Sequence, residues 1–590
     1  MIQTASSAAK QNQIRKNTIH GINALLVLLS LFAVLKSIFI SFDIDEGYAI
    51  AQSYRLATGS RLLTEMWEPH QFSAFFSAIF MLPFLAVTGG DTTGIVIYLR
   101  VIGSLIHLLI GVGFFIAARK QFNTSVGLLI ALIHMNFLPK WVSSPEFEIQ
   151  HYWSVCVIFL ALYFWNRSKQ HNGFLLLASV ALWIAIMSYP TMVILYPVYI
   201  VAIASCTKKD RKRIGSAIIW FTLPMLVIGV AFIGYLFSYM TLPELLENLS
   251  CILMDESHSV SLAQRCKEYF YEIADFAGQL LLYLAGSFMI TICIRKYFSL
   301  KGKDCLSSPK EKIPVLLLLA ILLLSVNHMV SSLLGDTNQF YLYFRFLVIV
   351  LFGFLCFLLS KEETREYFYF GIVPGIFSVL ASAAITNMTF EIALARIYIA
   401  VIATCFIAAS LLLTSYRQDR LFQGLMYGTA VLFLLSLLVC KLLLVRVTGC
   451  IPISVKMHMT PVTSGPAAGL LLKEELAQTY NENTAFIRDN VADTDKLLYF
   501  GCENIYYLVT NADIATPSTQ GTSVFNEMYL AYYEKHPEKL PNVVILDKSF
   551  ETNPEYNYSM QNHTIVLDWI LEEFADAKKL ETDNLILLRR

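Results

Sequence analysis

Residues 22–48 read INALLVLLSLFAVLKSIFISFDIDEGY. The first twenty of these positions hold one charge, Lys36, and about 20 apolar residues in a helix cross about 30 Å of hydrocarbon. Directly after them, Asp43, Asp45 and Glu46 place three carboxylates within four positions. A membrane-crossing helix therefore opens into an acidic loop. Upstream, Lys10, Arg15 and Lys16 make a basic tail over 1–20, and no small-residue cleavage site follows the apolar run. The expectation is an uncleaved anchor with a cytoplasmic N-terminal tail.

Similar apolar stretches recur near 72–88, 95–118, 124–139, 150–165, 173–189, 190–206, 214–238, 276–294, 313–330, 343–360, 367–385, 395–414 and 421–441. Their apolarity is continuous instead of alternating, which selects helices over barrel strands. The chain has 590 residues, 56% of them hydrophobic and only 15% charged, too few for a surface bathed in water throughout. Lys plus Arg and Asp plus Glu both total 44, and no basic stripe with interleaved aromatics occurs, so nucleic acid is excluded as an expected partner. The eleven cysteines show no zinc-ligand spacing. Cys251 and Cys266 share one polar loop, where a disulfide and two free thiols are equally compatible with the sequence.

Basic clusters at 208–213, 295–312, 361–365 and 417–420 fit the cytoplasmic side. The loops at 42–71, 239–275, 331–342 and 386–394 then face outward, as does everything after 445. Arg119-Lys120 and Arg167 also read as cytoplasmic, which allows one net crossing between 72 and 118; a re-entrant or short 72–88, broken at Pro83, accommodates this. The expected fold is an all-α polytopic domain over 21–444 with about 13 crossings. A small extracytoplasmic α/β domain over 445–590 follows, with a helical pattern from 467 to 490 and strand-like runs at 496–500 and 542–546.

The outward loop 42–71 carries two acidic stations, Asp43/Asp45/Glu46 and Trp67-Glu68-Pro69-His70, joined by an amphipathic stretch at 49–58. Carboxylates so placed suit deprotonation of a hydroxyl or a divalent cation held against phosphate. A solvated interfacial loop is the competing reading. Asp255-Glu256-Ser257-His258 reads as a solvated loop that also suits a lid. His107, His134 and His328 read as satisfied core histidines, and Arg100 as snorkelling to its helix end ahead of pairing with a loop carboxylate.

In order and spacing these elements resemble the GT-C superfamily, the polytopic glycosyltransferases that use polyprenyl-phosphate sugars, including the protein O-mannosyltransferase and aminoarabinose transferase branches. The resemblance runs through Asp45-Glu46, Tyr48, Arg55-Leu56-Ala57, Gly59 and Glu68-Pro69-His70. Pro145-Glu146-Phe147-Glu148, Tyr343-Phe344-Arg345-Phe346 and 496–517 are similar to the family's later acid, Arg-Tyr element and terminal domain. It implies that Asp45 is the catalytic carboxylate, with Glu46 beside it, and that Glu68 positions the acceptor or joins Asp45 at a divalent cation. Asp43, His70, Glu146, Glu148 and Tyr343 would bind substrate, and Arg345 would meet the phosphate of the leaving group. The chain departs from the family in lacking a lysine after Glu68, in Phe346 where a tyrosine is usual, and in a missing proline nearby.

The implied reaction is inverting, single-displacement hexosyl or pentosyl transfer from a polyprenyl-phosphate sugar to a lipid, glycan or protein acceptor outside a bacterial plasma membrane. A transporter or flippase would show paired repeats with mid-membrane breaks, and a polymerase or ligase a large polar insertion between late helices. Neither pattern is present.

Overall fold

A computed structural model describes residues 2–137, 144–168, 171–207, 211–252, 261–300, 309–334, 341–384, 389–414, 420–447, 451–454, 459–501, 503–520, 526–548 and 564–590. The first half of the chain runs through α1 (Ile2–Phe39), α2 (Ile44–Ala57), α3 (Ala74–Thr88), α4 (Ile95–Gln121), α5 (Thr124–Asn136), α6 (Phe147–Arg167), α7 (Gly173–Ser188), α8 (Leu195–Cys206), α9 (Arg211–Leu236) and α10 (Leu242–Ile252). The bundle continues with α11 (Leu262–Leu300), α12 (Pro309–Leu333), α13 (Tyr341–Leu359), α14 (Lys361–Tyr367), α15 (Val373–Ala383), α16 (Phe390–Leu394), α17 (Tyr398–Thr414) and α18 (Arg420–Leu443).

Among the described residues, each apolar stretch of the sequence falls on one of these helices or on a short helical turn joined to it. Among the described residues, ten are long and apolar enough to cross a membrane, and four more are shorter apolar helices. Their outward faces carry exposed leucine, valine and phenylalanine, as on α9 and α11, which fits lipid as the solvent. The chain is a multi-pass membrane protein. One expectation fails: α3 is not broken at Pro83 but runs through it, and with a preceding 3-10 turn forms an 18-residue apolar rod, Gln71–Thr88. Proline removes one helical hydrogen bond, which packed membrane helices tolerate. The short members are Thr124–Asn136, Gly173–Ser188, Pro190–Cys206 and Tyr343–Leu359.

The helices end at Leu443 and strands begin at once, with the β1 (Leu444–Val447)–β2 (Ile451–Ser454) hairpin. A second hairpin pairs β3 (Met459–Pro461) with β4 (Leu471–Lys473) and leads into α19 (Glu474–Asn490). The helix expected from 467 therefore starts later, because Gly465 and Gly469 take positive φ and turn the chain into β4. The main sheet has the order β6-β5-β7-β9-β8, formed by β5 (Lys496–Phe500), β6 (Asp513–Ile514), β7 (Val543–Asp547), β8 (Lys578–Glu581) and β9 (Leu585–Arg589). β6, β5 and β7 are parallel, and β9 and β8 antiparallel. Central β7 is buried at all five positions, the reason it reads as an unbroken apolar run. α20 (Asn526–Lys535) and α21 (Thr564–Glu573) cover the sheet with Trp67, which the first loop contributes to their core.

This unit is bonded to the membrane domain at several points. The Gly94 and Val96 amides donate to the carbonyls of Gly465 (3.1 Å) and Pro466 (3.2 Å), Trp67 N to Pro517 O (2.9 Å), and the Tyr54 hydroxyl to Asn511 (3.2 Å). Cys266 carries a free thiol, and Asp255-Glu256-Ser257-His258 lies outside the described residues.

Candidate active site

The 42–71 segment is not a solvated loop. After α1, Ser41 at φ 74° turns the chain, and its amide donates to Leu471 O (3.0 Å). Asp43 then caps α2, its carboxylate accepting from Asp45 N at 3.0 Å, the usual use of an aspartate at a helix start. Every residue from Glu46 to Arg55 is buried.

The three clustered carboxylates have three fates. Asp43 is buried as the cap. Glu46, 1% exposed, is gripped at both oxygens by Arg100 of α4: Nε to Oε1 at 2.8 Å, and a terminal nitrogen to Oε2 at 2.6 Å. The same guanidinium donates to the carbonyls of Ser37, Ile38 and Ser41 at the end of α1. Arg100 thus pairs with the loop instead of snorkelling, and Glu46 holds an elbow instead of standing beside Asp45 as a reacting group. Asp45 alone of the three keeps partial exposure, in the first turn of α2, where the helix dipole favours negative charge.

Glu68 is also spoken for. It is 0% exposed, pairs with Arg55 at 2.8 Å, and accepts from the amide (3.0 Å) and hydroxyl (3.4 Å) of Thr519. Arg55 further donates to Glu65 O (2.8 Å) and Pro517 O (3.4 Å). Burial pushes the Glu68 carboxyl up against the opposing pull of Arg55 and Thr519. Its oxygens are therefore engaged in docking the C-terminal domain, and it does not fit the expected metal pair with Asp45. Among the described residues no three His, Cys, Asp or Glu side chains converge as metal ligands.

Past Glu68, Pro69 O accepts from the Tyr48 hydroxyl and Gln52 Nε2, both at 2.8 Å. Tyr48 and Gln52 lie one and two turns beyond Asp45 on the same face of α2, so this face looks toward His70. His70, at φ 61°, stacks on Phe147 (4.2 Å, 6°), meets Tyr189 edge-on (4.8 Å), and its Nδ1 donates to Ser188 O (3.2 Å). Glu146 is buried at the residue just before α6, and Glu148 pairs with Arg396 at 2.7 Å. Arg396 also donates to the Tyr189 hydroxyl and lies 5.0 Å over its ring. Tyr398 follows Arg396 and touches Tyr152 (5.1 Å) and Tyr343 (6.3 Å). Thus His70, Phe147, Glu148 and Tyr343, far apart in sequence, belong to one aromatic and charged wall.

Arg345 is 3% exposed on α13, where one terminal nitrogen reaches Leu324 O (3.5 Å) and Ser436 Oγ (3.4 Å). Its described hydrogen bonds go to α12 and α18, not to Asp45 or Glu68. The core histidines divide. His107 and His134 exchange ring-to-carbonyl bonds (3.1 and 3.2 Å) and take partners from Trp153 and Tyr152. His328 differs, its Nε2 having no partner among the described residues.

No family model matches the chain, and no curated protein matches it. Solved structures do. An Archaeoglobus fulgidus oligosaccharyltransferase in complex with Zn and sulfate aligns over 92% of this chain and 70% of its own, at 10% identity and TM-score 0.47. The archaeal oligosaccharyltransferase AglB of the same organism, with an inhibitory peptide and a dolichol-phosphate, covers 96% and 73% at 10% identity and TM-score 0.45. ArnT from Cupriavidus metallidurans bound to undecaprenyl phosphate covers 97% and 98% at 13% identity and TM-score 0.41.

Two participants were assigned no role from the sequence: Arg396, and Arg55, which was quoted only within the resemblance. Arg396 opens an apolar run, and an ionisable residue there was a legible signal, since charge at membrane depth is kept for a partner or a ligand. Arg55 sits in the last turn of a short amphipathic helix and carries no such signal.

Proposed function

We propose that the chain is a membrane glycosyltransferase that moves a sugar from a polyprenyl-phosphate donor to an acceptor hydroxyl at the membrane face bearing the first loop. The observation that carries this reading is the sorting of the loop carboxylates. Glu46 and Glu68 are neutralised in buried ion pairs, and Asp45 stays partly exposed on the α2 face that looks toward His70 and Pro69.

In this reading Asp45 takes the proton of the acceptor hydroxyl as its oxygen attacks the anomeric carbon. The new C–O bond forms as the bond to phosphate oxygen breaks, the electron pair leaving with the lipid phosphate and the anomeric configuration inverting. Arg345, whose Nε and second terminal nitrogen lack partners among the described residues, meets that charge, since a guanidinium fork matches phosphate oxygens. The elbow clamped by Arg100 and the wall around Arg396 position the reacting groups. The donor set does not fit a metal, so no step is assigned to one. The N-terminal tail lies in the cytoplasm and the C-terminal domain outside, in a bacterial plasma membrane.

The test is transfer from a polyprenyl-phosphate sugar by purified protein, with glycan mass analysis of the cell envelope in a deletion strain to identify the product. Transfer that survives intact in Asp45→Asn would overturn the assignment.

A further inference from the structure

The main sheet of the C-terminal domain reverses its winding between β5 and β7. These strands are parallel neighbours, and the chain leaves β5 toward β6 on one side and β7 toward β9 on the other. Ligands of open α/β sheets bind in the crevice that such a reversal opens beyond the carboxyl ends of the strands. Here those ends carry Glu503 and Asn504 after β5 and Asp547 at the end of β7, with the Tyr499 hydroxyl donating to Asp547 Oδ2 at 2.6 Å. The 3-10 turn Asn504–Leu508 packs on β5 and on α2, and a Cβ on Gly47 would lie 3.7 Å from Ile505 N. The crevice therefore opens against the first turn of α2, which also carries Asp45.

Two of its side chains are left unanswered. Asn504 is 1% exposed, and among the described residues neither its amide oxygen nor its amide nitrogen has a partner. An amide enclosed in this way is costly until something completes it. Glu503 is partly exposed, and among the described residues its carboxyl has no ion pair and accepts no hydrogen bond. Burial and repulsion from Asp547 and Asp43 raise it to about 7. Lys548 gives no relief, since its ammonium bonds Glu581 (2.5 Å) and Thr582 O (2.7 Å).

A cation with several N–H donors answers both groups. A neutral hydroxyl would satisfy Asn504 and leave the carboxylates repelling one another. A divalent metal ion requires ligands that converge at short range, and among the described residues no three His, Cys, Asp or Glu side chains do so. A primary ammonium has three donors and no acceptor. Glu503, Asp547 and Asn504 Oδ1 can share those donors, while Asn504 Nδ2 donates to a neighbouring hydroxyl of the same ligand.

We propose that the crevice between β5 and β7 is an acceptor subsite, and that it takes a primary ammonium carried beside the hydroxyls of a sugar or polyol. Its service to the acceptor rests on the proposed glycosyl transfer; the ammonium site itself rests on Glu503 and Asn504.

The test is titration of the full-length protein in detergent at pH 7, read by calorimetry and thermal shift. The probes are glucosamine, N-acetylglucosamine and glucose, which share a ring and differ at one substituent, and magnesium chloride. Glucosamine should bind about tenfold or more tighter than the other two sugars, the scale of a charge-assisted bond, and Glu503→Gln should erase that preference. Asn504→Leu, which keeps the volume and removes the amide, should bind glucosamine more weakly and, without ligand, melt no lower than the wild type. Equal binding of glucose or N-acetylglucosamine overturns the proposal, as does a preference that survives Glu503→Gln. Magnesium binding that Glu503→Gln abolishes would make the crevice a metal site and overturn it too. So would a lower unliganded melting temperature in Asn504→Leu, which would reveal a structural partner for the amide. Binding needs no donor, so a protein that prefers glucosamine through Glu503 yet transfers no sugar keeps this site and loses the glycosyltransferase reading. Transfer that depends on Asp45, with no preference for glucosamine, does the reverse.

Discussion

Arg100 of α4 holds both carboxylate oxygens of Glu46 while donating to three carbonyls where α1 ends and α2 is about to begin. One guanidinium thereby satisfies the end of one helix and fixes the start of the next, and with it the place of Asp45.

This pair should be costly to break from either side. Glu46→Gln or Arg100→Met is expected to destabilise by about 3–5 kcal/mol, because each strands its buried partner. The double variant should recover part of that loss, which thermal unfolding of the four proteins in detergent would read as a coupling energy.

Asp45→Asn should behave differently. With Asp45 partly exposed and Asp43 still capping the helix, stability should change little. Transfer should fall about 10²–10⁴-fold, the usual scale for loss of a general base. Comparing turnover with melting temperature separates this residue from Glu46.

Arg55→Ala or Glu68→Ala should loosen the C-terminal domain from the membrane bundle, since the pair ties α2 to the 517–519 strand connection. A cost of about 3–5 kcal/mol is expected for a broken buried pair. Limited proteolysis should release the C-terminal domain faster in both variants than in the wild type; an unchanged digestion pattern would contradict the docking role.

Glu503 gives a pH dependence of known sign. Enclosure between α2 and the sheet, with Asp547 and Asp43 adding repulsion, raises its carboxyl from the ordinary 4.5 to about 7. Between those values the folded chain holds a proton that the unfolded chain has lost, so stability falls as pH rises through that window. Glu503→Gln should flatten the decline and be the more stable protein at pH 8, as measured by melting temperature against pH.

Much of the architecture was legible from residue order. Continuous apolar runs bound the helices because lipid leaves the backbone no partner but itself, and the runs at 496–500 and 542–546 became β5 and β7 for the same kind of reason. Boundaries set by turn chemistry were less so: the pattern from 467 reads as helix, yet two glycines at positive φ convert its start into a hairpin.

What no local pattern decided was which charges are used up. Asp45 and Glu46 are neighbours of the same chemistry, but a helix turns consecutive side chains about 100° apart, so one meets Arg100 from 54 positions away and the other lies on the face whose Tyr48 and Gln52 bond Pro69 O. Glu68 looked like a reacting acid until Thr519 and Arg55 closed on it. Composition and periodicity determined a helical membrane protein with an acidic loop at one bundle end. The burial and pairing of each carboxylate and cation, which depend on what packs against it from elsewhere in the chain, were decided only in three dimensions.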